Sequence, residues 1–136
     1  MKELEEGTNL ALDFSKIVKM ADTQSDVIPV AVQNADTKEV ILVAYVNQEA
    51  LEHSLKTKTA AFWSTSRNEL WIKGATSGET FDLLNVFVNC EQNSLLYVVR
   101  PRHGAICHTK NQKGKPRNCF YRHINFQTQK LENIDP

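Results

Sequence analysis

The sequence has no excess of charge of either sign, since 16 Lys and Arg residues balance 16 Asp and Glu residues. Proteins that bind nucleic acid or membranes through charge usually carry a basic excess, so we expect neither partner. No apolar run approaches the roughly 20 residues of a membrane span, and the acidic residues 1–6 lack the apolar stretch of a signal peptide. Three cysteines, an odd number, without such a signal predict reduced thiols and a cytoplasmic protein. The expected partner is therefore a small molecule or a second copy of the chain.

Linkers, repeats and low-complexity segments are also absent, so residues 1–136 predict a single domain. Short β-branched and aromatic runs predict about seven strands. They form hairpins that pair 27–33 with 40–46, 60–66 with 70–73 and 83–89 with 95–99, and they end in a strand at 120–126. Proline in a sheet is found in edge strands or at the start of a strand, so Pro29 predicts one of these two positions.

One clear helix is predicted from Asn47, its N-cap, to about Lys58. Leu51 and Leu55 lie one turn apart and are expected to face the core. Residues 20–26 are polar and predict a loop, and the polar tail after residue 126 is expected to be mobile. The sequence thus predicts an α+β fold, a compact and mainly antiparallel sheet with one main helix.

All the cysteines lie in one short segment, at Cys90, Cys107 and Cys119. Three protein ligands with an open fourth position are how zinc is held when it activates a water. The spacing is not that of a structural C-x-x-C knuckle, and any one of these cysteines can instead be a small buried hydrophobe. Cys107 is the strongest candidate because its loop is polar, and the adjacent His103 and His108 are each a ligand, an acid–base group or a surface residue. We hypothesise a catalytic zinc site.

A second metal site is suggested by Asn89, Glu91 and Asn93, which alternate and so point to one face of an extended segment. Magnesium prefers carboxylates and water, and only Glu91 is charged. The alternative is a turn whose Asn side chains hydrogen-bond the backbone.

Several motifs occur in the unbroken order of one known family: residues 43–51 (VAYVNQEAL), 62–67 (FWSTSR), 70–74 (LWIKG), 76–78 (TSG), 104–109 (GAICHT) and 119–120 (CF). With them the chain resembles phosphoribosyl-AMP cyclohydrolase of histidine biosynthesis over about residues 9–126, the expected core between flexible termini. The resemblance implies a homodimer that hydrolyses the N1–C6 bond of the purine ring. It also implies a zinc ion at the dimer interface, whose three cysteine ligands map onto Cys90, Cys107 and Cys119.

The chain departs from the family at the site, which indicates a divergent member. The family's Asp-Cys-Asp-x-Asp reads NCEQN at residues 89–93, so only one of its three carboxylates remains. Zn²⁺ is therefore the expected cofactor, and Mg²⁺ is expected to bind weakly. The family's Ser-Gly-His-x-Gln reads SGETF at residues 77–81, which puts Glu79 in place of an imidazole. The loop between Cys107 and Cys119 is longer than usual and basic.

Roles follow from this reading of the chain. His108 is the first choice as catalytic base and Glu79 the second, because imidazole titrates near neutral pH. The expected substrate-binding residues are Arg67, Lys73, Arg102 and Arg117 for phosphate, Trp63 and Trp71 for stacking on the purine, and Ser77 of the TSG motif. The alternative is that the cations are solvated surface charges and that the tryptophans belong to the core or an interface. Two alternatives are a zinc hydrolase or deaminase acting on another purine-like nucleotide and a non-catalytic, zinc-stapled dimeric binding module.

Overall fold

The helices and strands follow in an order that builds a sheet with a helix packed beside it. We describe them from a computed structural model, which covers residues 2–23, 26–103, 107 and 109–136. The helices are α1 (Glu3–Glu6), α2 (Lys16–Asp22) and α3 (Gln48–Thr57). The strands are β1 (Ile28–Asn34), β2 (Val40–Val46), β3 (Ala61–Ser64), β4 (Glu69–Ile72), β5 (Phe81–Val88), β6 (Leu95–Pro101), β7 (Arg122–Ile124) and β8 (Leu131–Asn133).

A four-stranded sheet with the order β2-β1-β6-β5 forms the centre of the molecule. The β1–β2 and β5–β6 pairs are antiparallel hairpins, whereas β1 and β6 run parallel. β3 pairs with β4 and β7 with β8, both antiparallel. The α+β class with a mainly antiparallel arrangement is confirmed, and so are the three predicted hairpins.

Pro29 lies at the start of a central strand rather than at a sheet edge. It is the second residue of β1, and the parallel ladder to β6 begins only at Val30, opposite Leu95. Because the ladder starts after Pro29, the missing N–H of the proline removes no hydrogen bond to β6.

Helix α3 begins as predicted but presents a different face to the core. The Asn47 side chain accepts a hydrogen bond from the Ala50 N–H at 2.9 Å, so the predicted N-cap is confirmed. The buried residues of the helix are Ala50 and Ser54, while Leu55 is 53% exposed. The prediction that Leu55 faces the core is therefore wrong, because small residues bring the helix close to β3 and turn Leu55 outward.

Both terminal regions are more regular than the sequence predicted. Part of the expected loop at 20–26 belongs to α2, and Met20 on that helix is buried. The predicted strand at 120–126 shortens to β7, and the tail expected to be mobile contains β8. The Asn125 side chain accepts hydrogen bonds from the N–H groups of the next turn, at Gln127 and Thr128, and this turn joins the two strands.

The core lies between the sheet, α3 and the β3–β4 hairpin. Its largest fully buried apolar side chains are Tyr97, Phe62, Phe81, Ile41, Val30, Val32, Val46 and Val99. Phe62 links the sheet to the hairpin, since its ring lies 5.8 Å from that of Tyr97 and 5.3 Å from that of Trp71. In the described parts of the chain, no helix is long and apolar enough to span a membrane.

Candidate active site

A cavity of about 660 Å³ opens beside β2 and the end of the β3–β4 hairpin. Its lining comes from three segments: β2, the residues from Trp71 to Glu79, and the segment 107–119, which we call the cysteine loop. The lining residues are Leu42, Val43, Ala44, Trp71, Lys73, Gly74, Ser77, Glu79, Cys107, Lys110, Pro116 and Cys119. The cavity thus has an apolar floor, with thiols, ammonium groups and a carboxylate around it.

Gly74 allows the segment after β4 to fold back on itself. Its φ is +77°, and a Cβ on Gly74 would lie 2.2 Å from the carbonyl carbon and oxygen of Glu79. The Gly78 N–H donates to the Gly74 carbonyl at 2.8 Å, and the Ser77 Oγ accepts from the Glu79 N–H at 3.3 Å. Only glycine fits this close approach, which places Lys73, Ser77 and Glu79 on one wall.

The Glu79 carboxylate is held in an asymmetric environment. Its Oε1 lies 3.8 Å from the Nδ1 of His103, whereas its Oε2 is buried and receives no hydrogen bond from any residue the structure describes. Leaving a carboxylate oxygen buried and unsatisfied is costly, so Oε2 is suited to accept a proton or a hydrogen bond.

Lys73 brings a partly buried cation to the same wall. Its Nζ lies 4.6 Å from the centre of the Phe81 ring and donates to the Glu79 carbonyl oxygen at 3.3 Å. Burial lowers the pKa of the Lys73 amine below its ordinary 10.5, and the charges of Glu79 and Cys107 act in the opposite direction. A cation held beside apolar surface in this way is suited to meet an anionic group.

Backbone hydrogen bonds bring Cys107 and Cys119 to one side of the cavity, although the two residues are separated by a loop. The Cys107 N–H donates to the Arg117 carbonyl at 3.1 Å, and the Cys119 N–H donates to the Ile41 carbonyl of β2 at 3.2 Å. Cys119 is exposed at the surface, but partial desolvation of its thiol raises the pKa of this group, and Cys107 acts in the same direction through its charge and a side-chain hydrogen bond. Two soft ligands therefore face one space, and this is the donor chemistry that zinc prefers.

Cys90 lies elsewhere, exposed in the turn between β5 and β6 and outside the cavity lining. In the parts of the chain that the structure describes, no three His, Cys, Asp or Glu residues are grouped to hold a metal ion. One copy therefore brings together two of the three predicted thiol ligands.

The side chains predicted to hold magnesium stabilise this turn. The Asn89 Oδ1 accepts from the N–H groups of Asn93 and Ser94, both at 2.9 Å, and the Asn89 Nδ2 donates to the Asn93 Oδ1 at 2.7 Å. These are the contacts expected of a hydrogen-bonded turn, which is the alternative to a magnesium site, and Glu91 is exposed beside them. The magnesium site stays a prediction.

The predicted phosphate-binding arginines lie outside the cavity lining. Arg67 lies after β3 and pairs with Glu69 at 3.3 Å. Arg102 lies 3.7 Å from Asp82. Arg117 is 2% exposed, and its guanidinium is taken up by contacts within the chain.

The two tryptophans of the β3–β4 hairpin differ in position. Trp71 lines the cavity, whereas Trp63 packs against the core and its Nε1 donates to the Asn68 Oδ1 at 3.3 Å. Lys110 also lines the cavity, but it was not among the predicted substrate-binding residues. The basic composition of its loop is the signal that could have identified it. His108, the predicted catalytic base, lies outside the described residues.

Comparison with known proteins identifies the relatives of this chain. The family model described as phosphoribosyl-AMP cyclohydrolase matches residues 42–121. A phosphoribosyl-AMP cyclohydrolase of Nitrosopumilus maritimus is 42% identical over 113 residues, which cover 83% of this chain and 93% of that protein. One of Archaeoglobus fulgidus is 42% identical over 101 residues, covering 74% and 88%.

A further relative is the histidine biosynthesis bifunctional protein HisIE of Thermus thermophilus. It is 42% identical over 99 residues, which cover 73% of this chain and 44% of that protein. Every residue that lines the cavity falls within the segment matched by the family model. The match to the family model therefore includes the whole cavity lining.

Proposed function

The chain belongs to the phosphoribosyl-AMP cyclohydrolase family, and from this premise we propose that it opens the purine ring of phosphoribosyl-AMP by hydrolysis of the N1–C6 bond in histidine biosynthesis. The observation that carries the proposal is the cavity that is lined by Cys107 and Cys119 and also by Glu79, whose Oε2 is buried and receives no hydrogen bond from the described residues. Thiol ligands and a carboxylate in one partly apolar space are the groups that metal-assisted hydrolysis requires.

Zinc is the cofactor that fits these donors. Cys107 and Cys119 supply two of its thiolate ligands, and Cys90 is the third candidate. When bound, zinc supplies Lewis-acid activation of water for attack on an electron-poor carbon. Because Cys90 is exposed in the β5–β6 turn, it is accessible to act as a zinc ligand in the cavity of a second copy. The proposed active unit is therefore a homodimer.

The chain's own groups take the remaining roles. Trp71 offers an aromatic surface for the purine, while Lys73 and Lys110 bring positive charge for phosphate. The Glu79 Oε2 accepts a proton or a hydrogen bond at the reacting edge of the ring, together with His108, the base expected from the sequence. A carboxylate oxygen that receives no hydrogen bond from the described residues is well suited to this task.

The direct test is to supply purified, zinc-loaded protein with phosphoribosyl-AMP and magnesium and to follow ring opening by absorbance. We expect turnover, with Cys107→Ser reducing it to background and Lys113→Ala, on an exposed turn of the same loop, leaving it unchanged. Absence of turnover with zinc fully bound would refute the proposed substrate, and turnover of another purine nucleotide would then support the alternative hydrolase.

A subunit-mixing experiment tests the shared site. Cys90→Ser and Cys107→Ser are each expected to be inactive alone, but a mixed dimer keeps one cavity with its full set of cysteines. After unfolding and refolding of an equal mixture, statistical pairing predicts about a quarter of the wild-type activity. Recovery of no activity from a well-folded mixture would place all three cysteines in one copy, whereas a Cys90→Ser variant that is active alone would remove Cys90 from the site.

A further inference from the structure

Arg117 is the most deeply buried charged residue among those the structure describes, with 2% of its surface exposed. Its Nε donates to the Thr109 Oγ1 at 3.1 Å, and one terminal nitrogen donates to the Asp135 carbonyl at 3.1 Å. The other terminal nitrogen donates to the Glu6 carboxylate. The guanidinium also lies 3.7 Å from the centre of the Tyr121 ring. Because each nitrogen is engaged inside the fold, Arg117 is not placed to bind phosphate.

These contacts lead directly to a cavity thiol. The Thr109 hydroxyl accepts from Arg117 and donates to the Cys107 Sγ at 3.1 Å, and the Thr109 N–H approaches the same sulfur at 3.5 Å. The Arg117 carbonyl accepts from the Cys107 N–H at 3.1 Å. Arg117 therefore contacts the Cys107 region twice, through its backbone and, by way of Thr109, through its side chain.

The other end of this chain of contacts lies in the termini. Glu6 belongs to α1 and Asp135 follows β8, and both lie outside the segment 42–121 that the family model matches. The same terminal segments are tied to each other and to β7, since the Arg122 guanidinium donates to the carbonyls of Gly7 and Leu4 and the Leu131 N–H donates to the Thr8 carbonyl. The termini thus form a support beneath the cysteine loop.

We propose that Arg117 is a positioning residue that, by holding Thr109 against the Cys107 sulfur, fixes that thiolate in the orientation needed to bind the metal. The inference rests on the proposed function, because it takes Cys107 to be a metal ligand. Groups that hydrogen-bond a ligand orient it and tune its donor strength, and losing one typically weakens metal affinity by roughly 10- to 100-fold. In its described residues the cysteine loop has no named helix or strand, only an isolated bridge between Lys110 and Pro116, so side-chain contacts are expected to contribute to its position.

The experiment uses Co²⁺ as the probe, because its absorption reports directly on thiolate coordination. Thr109→Val removes the hydroxyl at nearly constant volume, and Arg117→Met removes the guanidinium. We expect each variant to bind Co²⁺ roughly 10- to 100-fold more weakly than the wild type and to show an altered thiolate-to-cobalt absorption band. The Co²⁺ affinity of the double variant should equal that of the single variant with the lower affinity, because both changes break the same chain of contacts.

Two matched variants separate positioning from stability. Thr109→Ser keeps the hydroxyl and should restore affinity and absorption to near the wild-type values. Ser54→Ala removes buried hydrogen bonds between α3, β3 and Tyr97 without touching the cysteine loop or the termini, so it should lower the melting temperature while leaving the cobalt spectrum unchanged. Titrations are made at a temperature where circular dichroism shows all variants folded.

Three results would overturn the proposal. Arg117→Met that lowers stability but keeps the wild-type affinity and band would make Arg117 purely structural. Thr109→Ser as impaired as Thr109→Val would show that the hydroxyl is not what acts on the sulfur. A wild-type protein without any thiolate–cobalt absorption would overturn the proposed zinc site as well, which distinguishes that failure from the first two.

Discussion

The central sheet and the cysteine loop are held in place by different interactions. In the sheet, Val30, Phe81 and Tyr97 have no exposed surface, so hydrophobic burial stabilises it. In the cysteine loop the buried residues include Thr109 and Arg117, which are polar and hydrogen-bond each other, and Arg117 also binds Glu6 and Asp135 in the two termini. Apolar contacts are non-directional, whereas a polar group that loses its partner costs the full desolvation of that group.

This difference indicates how the molecule can vary its chemistry. The sheet tolerates exchange among apolar residues of similar volume, while the loop that carries two candidate ligands depends on a few specific hydrogen bonds. A change in those bonds can alter the site while the sheet remains intact. A substitution in one of the two regions should therefore leave the other region unchanged.

The largest effect is expected for Phe62→Ala. Phe62 is fully buried and joins the sheet to the β3–β4 hairpin, so truncation leaves a cavity and should lower the free energy of unfolding by about 3–5 kcal/mol. Urea unfolding followed by fluorescence measures this. Phe126→Ala, at a site 96% exposed, is the control and should change stability by less than about 0.5 kcal/mol. Equal values for the two variants would contradict the assigned core.

A smaller and more local effect is expected for Glu6→Gln. The substitution removes the negative charge beside the buried Arg117 guanidinium and should cost about 1.5–3 kcal/mol, the range for hydrogen bonds to charged groups. Hydrogen exchange should accelerate in the cysteine loop and the β7–β8 hairpin while β1 and β6 remain protected. Glu3→Gln, on the exposed side of the same helix, is the control. Equal acceleration throughout the sheet would show that the two regions unfold together.

The sequence predicted the sheet well because its signal is local. The runs around Val30, Ile41 and Val99 are β-branched and apolar, and their burial follows from composition alone. The capping side chain of Asn47 was predicted for the same reason, since its acceptor and donor lie three residues apart.

The support of the site could not be predicted in this way. An arginine in a basic loop is usually interpreted as a surface or phosphate-binding residue. The carboxylate that binds Arg117 lies 111 positions away in the chain. Strand β8 is polar and pairs with β7, and its Leu131 N–H also donates to the Thr8 carbonyl, a contact that no local pattern encodes. Residue type identified the cysteines as candidates, but only the fold shows that Cys107 and Cys119 share a cavity and that Cys90 lies outside it.

Two neighbouring residues of helix α3, Ser54 and Leu55, are expected to contribute differently to stability. The Ser54 Oγ lies 2.8 Å from the Ala50 carbonyl, accepts from the Ala61 N–H at 2.9 Å and lies 3.3 Å from the Tyr97 hydroxyl. Ser54→Ala should therefore cost about 1–3 kcal/mol by leaving buried groups unsatisfied. Leu55→Ala should change stability by less than about 0.5 kcal/mol, because Leu55 is half exposed. Thermal unfolding of both variants measures this, and a larger loss for Leu55→Ala would reverse the orientation of the helix.

The smallest expected effect on stability, and one of opposite sign, belongs to Lys73. Burial disfavours its charged form in the folded state, so Lys73→Met should raise the melting temperature at neutral pH while lowering activity through loss of a cavity cation. Because the folded pKa is below 10.5, the unfolded wild-type chain holds more protons between these two values. The stability of the wild type should therefore rise with pH across that window relative to the variant.

The gap between wild type and Lys73→Met should accordingly be widest below the folded pKa and close as the pH approaches 10.5. Thermal melts at a series of pH values measure it, with Lys113→Met on the exposed turn as the control for a general loss of positive charge. Melting curves that stay parallel at every pH would show that burial places no penalty on the amine. A gap that closes only for Lys73 would mean that the cavity keeps this cation at a cost to stability, as expected of a group retained for binding rather than for folding.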